Sequence, residues 1–398
     1  MALCAMMGTA TLTSCEGTLD DVFGEWSRPT KTEPTLSIEE TPLTIEAVEA
    51  GTIKVIYQEN LTLPKPITIT KNGVSTSITA STDITVAAGD VVSFCSENSR
   101  VNDDADGWLN ILADHKIYVY GNVMSLINDE GDFSKDKTIT GDYALAALFS
   151  SNTDLYNHPD KKFLLPATTL SANCYNQMFS KCNSLTTAPE LPATTLAKEC
   201  YKYMFYGCTS LTTAPALPAT TLAEKCYYAM FYGCTSLTTA PKLPATTLDN
   251  NCYAYMFTSC ISLTTAPELP ATTLADGCYS SMFWDCTSLT TAPELPATTL
   301  TYLCYFRMFA NCLSLETAPV LPATTLVDNC YVDLFANCSK LSSVSCKATS
   351  EINSTNLQDW LENAGTDATS PTLHVTTGKE SESWTLPTTP TWTIKADL

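Results

Sequence analysis

The spacing of the cysteines constrains the fold of this chain more than any other feature. The chain has 18 cysteines among 398 residues, and from Cys174 to Cys338 they fall into two series that both advance by 26 residues. The second series, which starts at Cys182, lies eight residues after the first. A fixed period of about 20 to 50 residues is typical of a solenoid or a repeat array. Seven uninterrupted copies over residues 165–346 therefore predict such an array.

The repeat unit combines two short patterns, and reads L-P-A-T-T-L-x-x-x-C-Y-x-x-M-F-x-x-C-x-S-L-T-T-A-P-x. In C-Y-x-x-M-F, the Tyr, Met and Phe are spaced i, i+3 and i+4, which places them on one face of a helix. The Thr-rich S-L-T-T-A-P segment ends in proline and predicts a short strand. We therefore predict an α/β solenoid of leucine-rich repeats, with one short strand and one short helix in each 26-residue copy. A single copy buries too little apolar surface to offset its loss of entropy, so the copies must stack.

Both ends of the array are atypical, as expected of terminal repeats. We predict a solenoid over residues 143–346 that begins with a capping half-repeat. Residues 143–165 place Asn152 where the second cysteine belongs, and then carry a four-residue insertion. Residues 347–398 are predicted to form a C-terminal cap that covers the last copy, with a helical turn over residues 355–362.

The sequence C-T-S-L-T-T-A-P-E-L-P-A-T-T-L, followed by C-Y-x-x-M-F, resembles the BspA-like bacterial leucine-rich-repeat surface proteins. The resemblance covers residues 143–346 and implies a curved solenoid, export to the cell surface and adhesion to host or bacterial partners. It implies no catalytic residues, and members of the family bind varied ligands. Leucine-rich repeats use Asn and Cys interchangeably beneath the strand, which accounts for Asn152 in the cap.

The repeat cysteines have three candidate roles. Stacked copies of one column would approach to about 5 Å, which is within disulfide range. Two cysteines eight residues apart on one helix would be about 12 Å apart, which is beyond it. The C-x7-C spacing matches no common zinc motif, and the three histidines lie outside the repeats. Free cysteine packs like a small hydrophobe. We predict buried free thiols, keep inter-repeat disulfides and a metal as alternatives, and predict no cofactor.

The N-terminal residues resemble an export signal. Leu12, Thr13 and Ser14 precede Cys15 as in a bacterial lipobox, although the apolar residues before them include no positively charged region. We predict that residues 1–15 are a truncated signal with lipidation at Cys15. Residues 16–48 are rich in Pro, Thr and Glu and are predicted to be a disordered tether. The expected location is the outer cell surface, with the membrane contacted only through the lipid anchor.

Residues 49–142 predict a small antiparallel β module. Asn72-Gly73 lies between two β-prone runs and is a strong hairpin signal. A second hairpin is expected across residues 87–90, and a further strand over residues 116–120. The loop at residues 102–107 matches four positions of a calcium-binding EF-hand loop, but it lacks the required Glu at position twelve and flanking helices, so we expect a solvated acidic turn.

The charge and the motifs narrow the class of function. The chain has 21 Lys+Arg and 42 Asp+Glu, a net charge of −21, which argues against nucleic acid or an anionic membrane surface as partner. No nucleophile–base pair, metal spacing or phosphate-binding loop stands out, so we do not expect an enzyme.

Aromatic residues recur at the variable columns of copies two to six. Exposed aromatic patches mark contacts with proteins or glycans. We predict that seven of these residues bind ligand: Tyr203, Tyr206, Tyr228, Tyr232, Tyr255, Trp284 and Phe306. One alternative is that the rings only pack over neighbouring copies. The Thr-Thr columns from Thr186 to Thr291 form a competing surface.

These features predict a cell-surface binding or adhesion protein that presents a leucine-rich-repeat solenoid to a host or bacterial surface protein or glycan. The alternative is a structural surface-coat protein without a specific ligand. Identical repeat faces would favour the coat, whereas a local cluster of unusual exposed residues would favour binding.

Overall fold

The computed structural model describes residues 36–58, 61–103, 107–129 and 131–398. The predicted lipidation site Cys15, most of the predicted tether and residues 104–106 of the acidic loop lie outside these ranges. The helical element of the described chain is a short 3-10 helix, Val123–Leu126. The strands are β1 Leu43–Ala47, β2 Gly51–Tyr57, β3 Ile67–Lys71, β4 Val74–Ile78, β5 Thr82–Val86, β6 Val91–Cys95, β7 Leu109–Ala113, β8 Ile117–Asn122, β9 Leu155–Asn157, β10 Phe163–Leu164, β11 Thr317–Leu321, β12 Ser343–Cys346, β13 Thr372–Val375 and β14 Thr393–Ala396.

Two sheets form the N-terminal β module. One has the strand order β10-β8-β1-β6-β3-β4, with β9 also paired to β8, and the other has the order β5-β2-β7. The hairpin β3–β4 is confirmed, and it turns at Asn72 and Gly73, whose φ angles are 47° and 84°. These positive φ values are what a tight hairpin turn requires. The strand predicted over residues 116–120 is confirmed as β8.

The second predicted hairpin is wrong. Both of its strands exist, but β5 pairs with β2, whereas β6 lies between β1 and β3 in the other sheet. The sequence analysis did not detect β1, which lies inside the segment 16–48 predicted as a tether. Leu43 and Ile45 of β1 are fully buried. The cross-sheet core that these side chains complete outweighs the local pairing of β5 with β6.

The β module continues directly into the solenoid through β8. β8 pairs antiparallel with β1 on one side, and parallel with β9 and β10 on the other. Because β9 and β10 belong to the capping half-repeat, the module and the array share one sheet and one hydrophobic core.

The segment C-Y-x-x-M-F-x-x-C forms a ribbon of overlapping turns, so the predicted helix is wrong. From Cys200 to Cys208, amide groups donate alternately within the copy and to the next copy. Lys202 N donates to Glu199 O at 3.2 Å, and Tyr203 N donates to Tyr228 O at 3.0 Å. An α-helix would satisfy these amides internally. In this turn ribbon half of them join neighbouring copies, which ties the stack together.

Burial in the turn ribbon repeats every four residues, as two buried positions followed by two outward ones. Cys200 and Tyr201 are buried, Lys202 and Tyr203 point outward, and the pattern then repeats. A residue with positive φ occurs once in each period, as at Tyr203 with 55°. The spacing i, i+3, i+4 fits this period as well as it fits a helix, so the sequence pattern alone could not distinguish them.

In the middle of the array, the predicted strand of each copy is reduced to an isolated β-bridge with the next copy. The second Thr of T-T-A-P pairs with its counterpart in the next copy, as in Thr187–Thr213 and Thr213–Thr239. An extended parallel sheet, in the order β11-β12-β13-β14, forms only at the C-terminal end. The flat face of the solenoid is therefore a series of stacked turns rather than a continuous sheet.

The structure places both cysteine columns in the core as free thiols. In the second column each Sγ donates to the Phe carbonyl of the preceding copy, as Cys234 does to Phe205 O at 3.1 Å. Asn152 takes this place in the cap, and its Nδ2 donates to Ile111 O at 3.1 Å. Burial raises the pKa of the Cys234 thiol well above its usual range, so this thiol is protonated and poorly reactive.

The C-terminal cap repeats the turn ribbon once more, and the helical turn predicted over residues 355–362 is wrong. Phe335 N donates to Trp360 O at 2.8 Å, in the same way that one copy donates to the next. Trp360 is fully buried, and its indole N–H donates to Trp384 O at 2.8 Å. The large side chains of this segment cover the open end of the core.

Candidate functional site

All seven predicted ligand-binding residues lie on the two outward column pairs of the turn ribbon, and all seven are half-buried. These columns lie outside the core because the inward pairs carry the Cys, Tyr, Met and Phe of each copy, and small outward residues such as Ser281 are covered by their neighbours. Each outward ring therefore contacts its neighbours along one part of its surface and solvent along another.

Five of the seven residues form one continuous group of rings, which we call the tyrosine cluster: Tyr203, Tyr206, Tyr228, Tyr232 and Tyr255. Tyr206 stacks on Tyr232, with ring centroids 5.0 Å apart and an interplanar angle of 25°. Tyr203 lies edge-on to Tyr206 at 5.6 Å and to Tyr228 at 5.5 Å. Tyr255 extends the group, with its ring 5.4 Å from that of Tyr228. The cluster thus crosses three successive copies.

The structure does not bring the other two predicted residues into this cluster. None of the ring–ring contacts in the described ranges involves Trp284 or Phe306. Phe306 instead lies under the Arg307 guanidinium, 4.8 Å from its ring centroid. Trp284 and Phe306 are therefore separate, half-buried rings further along the array.

One charged residue beside the tyrosine cluster, Lys202, forms an ion pair. Lys202 binds Glu199 at 2.8 Å, and its ammonium group lies 5.6 Å from the ring centroid of Tyr203 and 5.8 Å from that of Tyr228. Burial, and then the proximity of Tyr203, raises the pKa of Tyr228. Burial also raises the pKa of Tyr232. These two hydroxyls are therefore neutral at physiological pH and act as hydrogen-bonding groups.

A groove that the sequence analysis missed begins where the tyrosine cluster ends. Its volume is about 420 Å³, and it is lined by Ser150, Ser151, Gln177, Ser180, Lys181, Tyr203 and Tyr206. It occupies the same outward columns, but in the capping half-repeat and the first copy, where the lining residues are polar rather than aromatic. The signal was present in the sequence, since Ser150-Ser151 and Ser180-Lys181 align with Tyr206-Gly207, but a pattern of aromatic residues does not point to polar ones.

The family comparison agrees with this architecture. Residues 161–290 and 250–360, together about half of the chain, match the family described as BspA type leucine-rich repeat region (6 copies). The chain belongs to this family. No curated protein and no solved structure matches the chain. The predicted resemblance is thereby confirmed, and BspA-type membership suggests a protein-interaction role at a surface.

This BspA-type chain has a second concavity, a cleft of about 690 Å³ at the junction between the β module and the first copy. The four-residue insertion of the cap forms one side, and Phe163, Phe179 and Pro189 contribute apolar surface. The two lysines of the inserted loop are already paired, Lys161 with Glu46 and Lys162 with Glu190, each at 2.9 Å. The cleft therefore presents mainly apolar groups.

Within the described ranges, no group of three or more His, Cys, Asp or Glu side chains is arranged to hold a metal ion. No helix in the described part of the chain is both long and apolar enough to span a membrane.

Proposed function

We propose that this BspA-type protein is a cell-surface binding or adhesion protein, and that its tyrosine cluster contacts a protein or glycan on a host or bacterial surface. The observation that carries the proposal is the local concentration of five half-buried rings in copies two to four. The inward columns are nearly identical in every copy, whereas these outward columns are not. Tyrosine supplies apolar area together with a hydrogen-bonding group, and is enriched at interfaces.

Binding along the tyrosine cluster would be distributed over several copies. Consecutive rings are 5.0 to 5.6 Å apart, and the hydrogen bonds between copies hold that spacing. A ligand laid along the array would gain a small contribution from each ring. Affinity would then come from many weak contacts rather than from one deep pocket.

The proposal is tested with the double variant Tyr206→Ser, Tyr232→Ser. The two rings stack on each other, so the double variant removes both members of the stacked pair, and Tyr203 loses only its edge-on contact with Tyr206. The full-length variant and wild type are compared on arrays of glycans and of extracellular-matrix proteins, and hits are titrated by surface plasmon resonance. We expect a loss of affinity of roughly ten-fold or more, with little change in melting temperature.

The matched control for this experiment is the double variant Thr238→Ala, Thr264→Ala. It changes two exposed residues of the Thr-Thr columns, which together form the surface that we call the Thr face. We expect it to leave binding unchanged. If the Thr variant loses binding and the Tyr variant does not, the binding surface is the Thr face. A large drop in melting temperature for the Tyr variant would show that the rings serve inter-copy packing.

A structural surface coat is the second candidate, and the regularity of the Thr face favours it. Thr187, Thr213 and Thr239 bridge one copy to the next in the same manner. A coat function predicts that the full chain self-associates with increasing concentration and binds no array component. Sedimentation velocity over a concentration series distinguishes the two functions.

We also propose export and lipid anchoring through Cys15, which the Leu-Thr-Ser residues before it support. With an adequate signal sequence, the wild-type protein should incorporate labelled fatty acid in a bacterial host, and Cys15→Ala should not. Equal labelling of both proteins would exclude lipidation at this residue.

A further inference from the structure

We infer that the groove beside the tyrosine cluster binds an acidic glycan, that is, an oligosaccharide whose terminal or internal sugar carries a carboxylate. The inference rests on the proposed function and names its ligand class. It assigns roles to residues of the capping half-repeat and the first copy: Ser150, Ser151, Gln177, Ser180 and Lys181.

The shape of the groove comes from a step in side-chain size along the outward columns. The capping half-repeat and the first copy carry Ser at the positions where the second copy carries Tyr206. One face of the Tyr206 ring is covered by Tyr232, 5.0 Å away, so the opposite face is turned toward the groove. Tyr203 stands at 88° to it. The two rings therefore form a corner at the end of a polar floor.

The polar groups of the floor are available to a ligand. The side chains of Ser150, Ser151, Gln177 and Ser180 make no hydrogen bond to any other described residue. Three hydroxyls and one amide line this groove, and Ser180 is the least accessible of them at 5% exposed. Such groups match the hydroxyl-rich surface of a sugar. A polar floor ending at an aromatic face suits a sugar better than an apolar peptide side chain. The groove volume of about 420 Å³ lies within the range of small-ligand sites.

The charge at the groove comes from Lys181. It is exposed, and its ammonium group makes no ion pair within the described ranges. The nearby Lys202, by contrast, is paired with Glu199 at 2.8 Å. The net charge of the chain is −21, so the attraction for a ligand carboxylate is local and comes from this unpaired lysine at the rim of the hydroxyl-lined groove. A charge-assisted hydrogen bond would then fix the orientation of the sugar.

The test uses the full-length protein and three kinds of probe. Oligosaccharides containing uronic or sialic acid are titrated by calorimetry, each beside the same oligosaccharide with its carboxyl groups reduced to alcohols. An acidic peptide, hexaglutamate, is the third probe. We expect wild type to bind at least one acidic oligosaccharide roughly ten-fold more tightly than its reduced form, and to bind hexaglutamate more weakly than that oligosaccharide.

Two substitutions locate the site. Lys181→Gln should reduce binding of the acidic oligosaccharide roughly ten-fold and leave binding of its reduced form unchanged. Lys242→Gln is the matched control, since Lys242 is also exposed but lies on the strand side of copy three, and it should change neither. Circular dichroism melting should be the same for both variants, because neither ammonium group has a partner in the described chain.

The results separate this inference from the proposed function. If no acidic oligosaccharide binds, if the reduced forms bind equally well, or if Lys181→Gln has no effect, the groove inference is wrong. If hexaglutamate binds as tightly as the acidic oligosaccharide, the ligand is an acidic peptide and the glycan assignment fails. A ligand found on the arrays that depends on Tyr206 and Tyr232 but not on Lys181 would leave the proposed function standing without the groove.

Discussion

Replacing Ser281 by glycine tests the turn ribbon against the helix that the sequence pattern predicts. Ser281 has φ of 52° and is 1% exposed, and its hydroxyl has no hydrogen-bond partner in the described chain. In a helix, Ser→Gly would be destabilising by about 0.5 kcal/mol. In the turn ribbon, we expect the opposite sign.

The magnitude follows from three contributions. Relief of the left-handed backbone stabilises the glycine variant by about 1–2 kcal/mol. The greater entropy of glycine in the unfolded chain offsets about 0.5–1 kcal/mol of this. Removal of an unpartnered buried hydroxyl adds about 1–3 kcal/mol. Ser281→Gly should therefore stabilise the fold by about 1–4 kcal/mol, and Ser281→Ala should be less stabilising, because it removes the hydroxyl and keeps the backbone strain.

Ser280→Gly is the matched control. Ser280 is the adjacent residue and is also buried, but it is not among the residues with positive φ, so glycine there should destabilise by about 0.5–1 kcal/mol. Urea unfolding followed by circular dichroism gives the order of the four proteins. The turn-ribbon interpretation is refuted if Ser281→Gly and Ser280→Gly destabilise the protein alike.

Three further predictions concern the core of the array, its junction with the β module and the C-terminal cap. Cys234→Ala should destabilise the array by about 1–3 kcal/mol. Cys234→Ser should destabilise it by less, because the serine hydroxyl can still donate to Phe205 O, as the thiol does at 3.1 Å. A lower urea midpoint for the Ser variant than for the Ala variant would show that this contact does not stabilise the fold. A hydrogen bond from Lys161 lowers the pKa of Glu46 below its usual 4.5, so wild type should be more stable than Glu46→Gln by up to about 1 kcal/mol above that pH. This difference should vanish as the pH falls through the lowered pKa, and melting curves that differ equally at pH 3 and pH 7 would contradict it. Trp360→Ala should lower the free energy of unfolding by about 3–5 kcal/mol and loosen the C-terminal cap first. Amide hydrogen exchange should then become faster in residues 347–398 than in the central copies. A uniform increase in exchange rate along the array would argue against a capping role.

The sequence by itself determined the period, the number of copies and the identity of the inward columns. Two cysteine series in constant register leave only a stacked array, and the apolar residues between them had to face its core. The turn at Asn72-Gly73 was equally determined, because its positive φ values are a local property of those two residues. The outward columns followed from the inward ones, and five of the seven residues predicted there do form a cluster.

The tertiary structure decided the conformation of each copy, because the choice depends on hydrogen bonds between copies. The spacing of Tyr201, Met204 and Phe205 fits a helical face and a period of four equally well, and only stacking lets alternate amides donate to the next copy. It also decided the partners of β5 and β6, since β1 and β2 supply buried apolar strands from elsewhere in the chain. The groove at Lys181 likewise exists only when the capping half-repeat and the first two copies are stacked, because its floor and its tyrosine corner come from segments that are not contiguous in sequence.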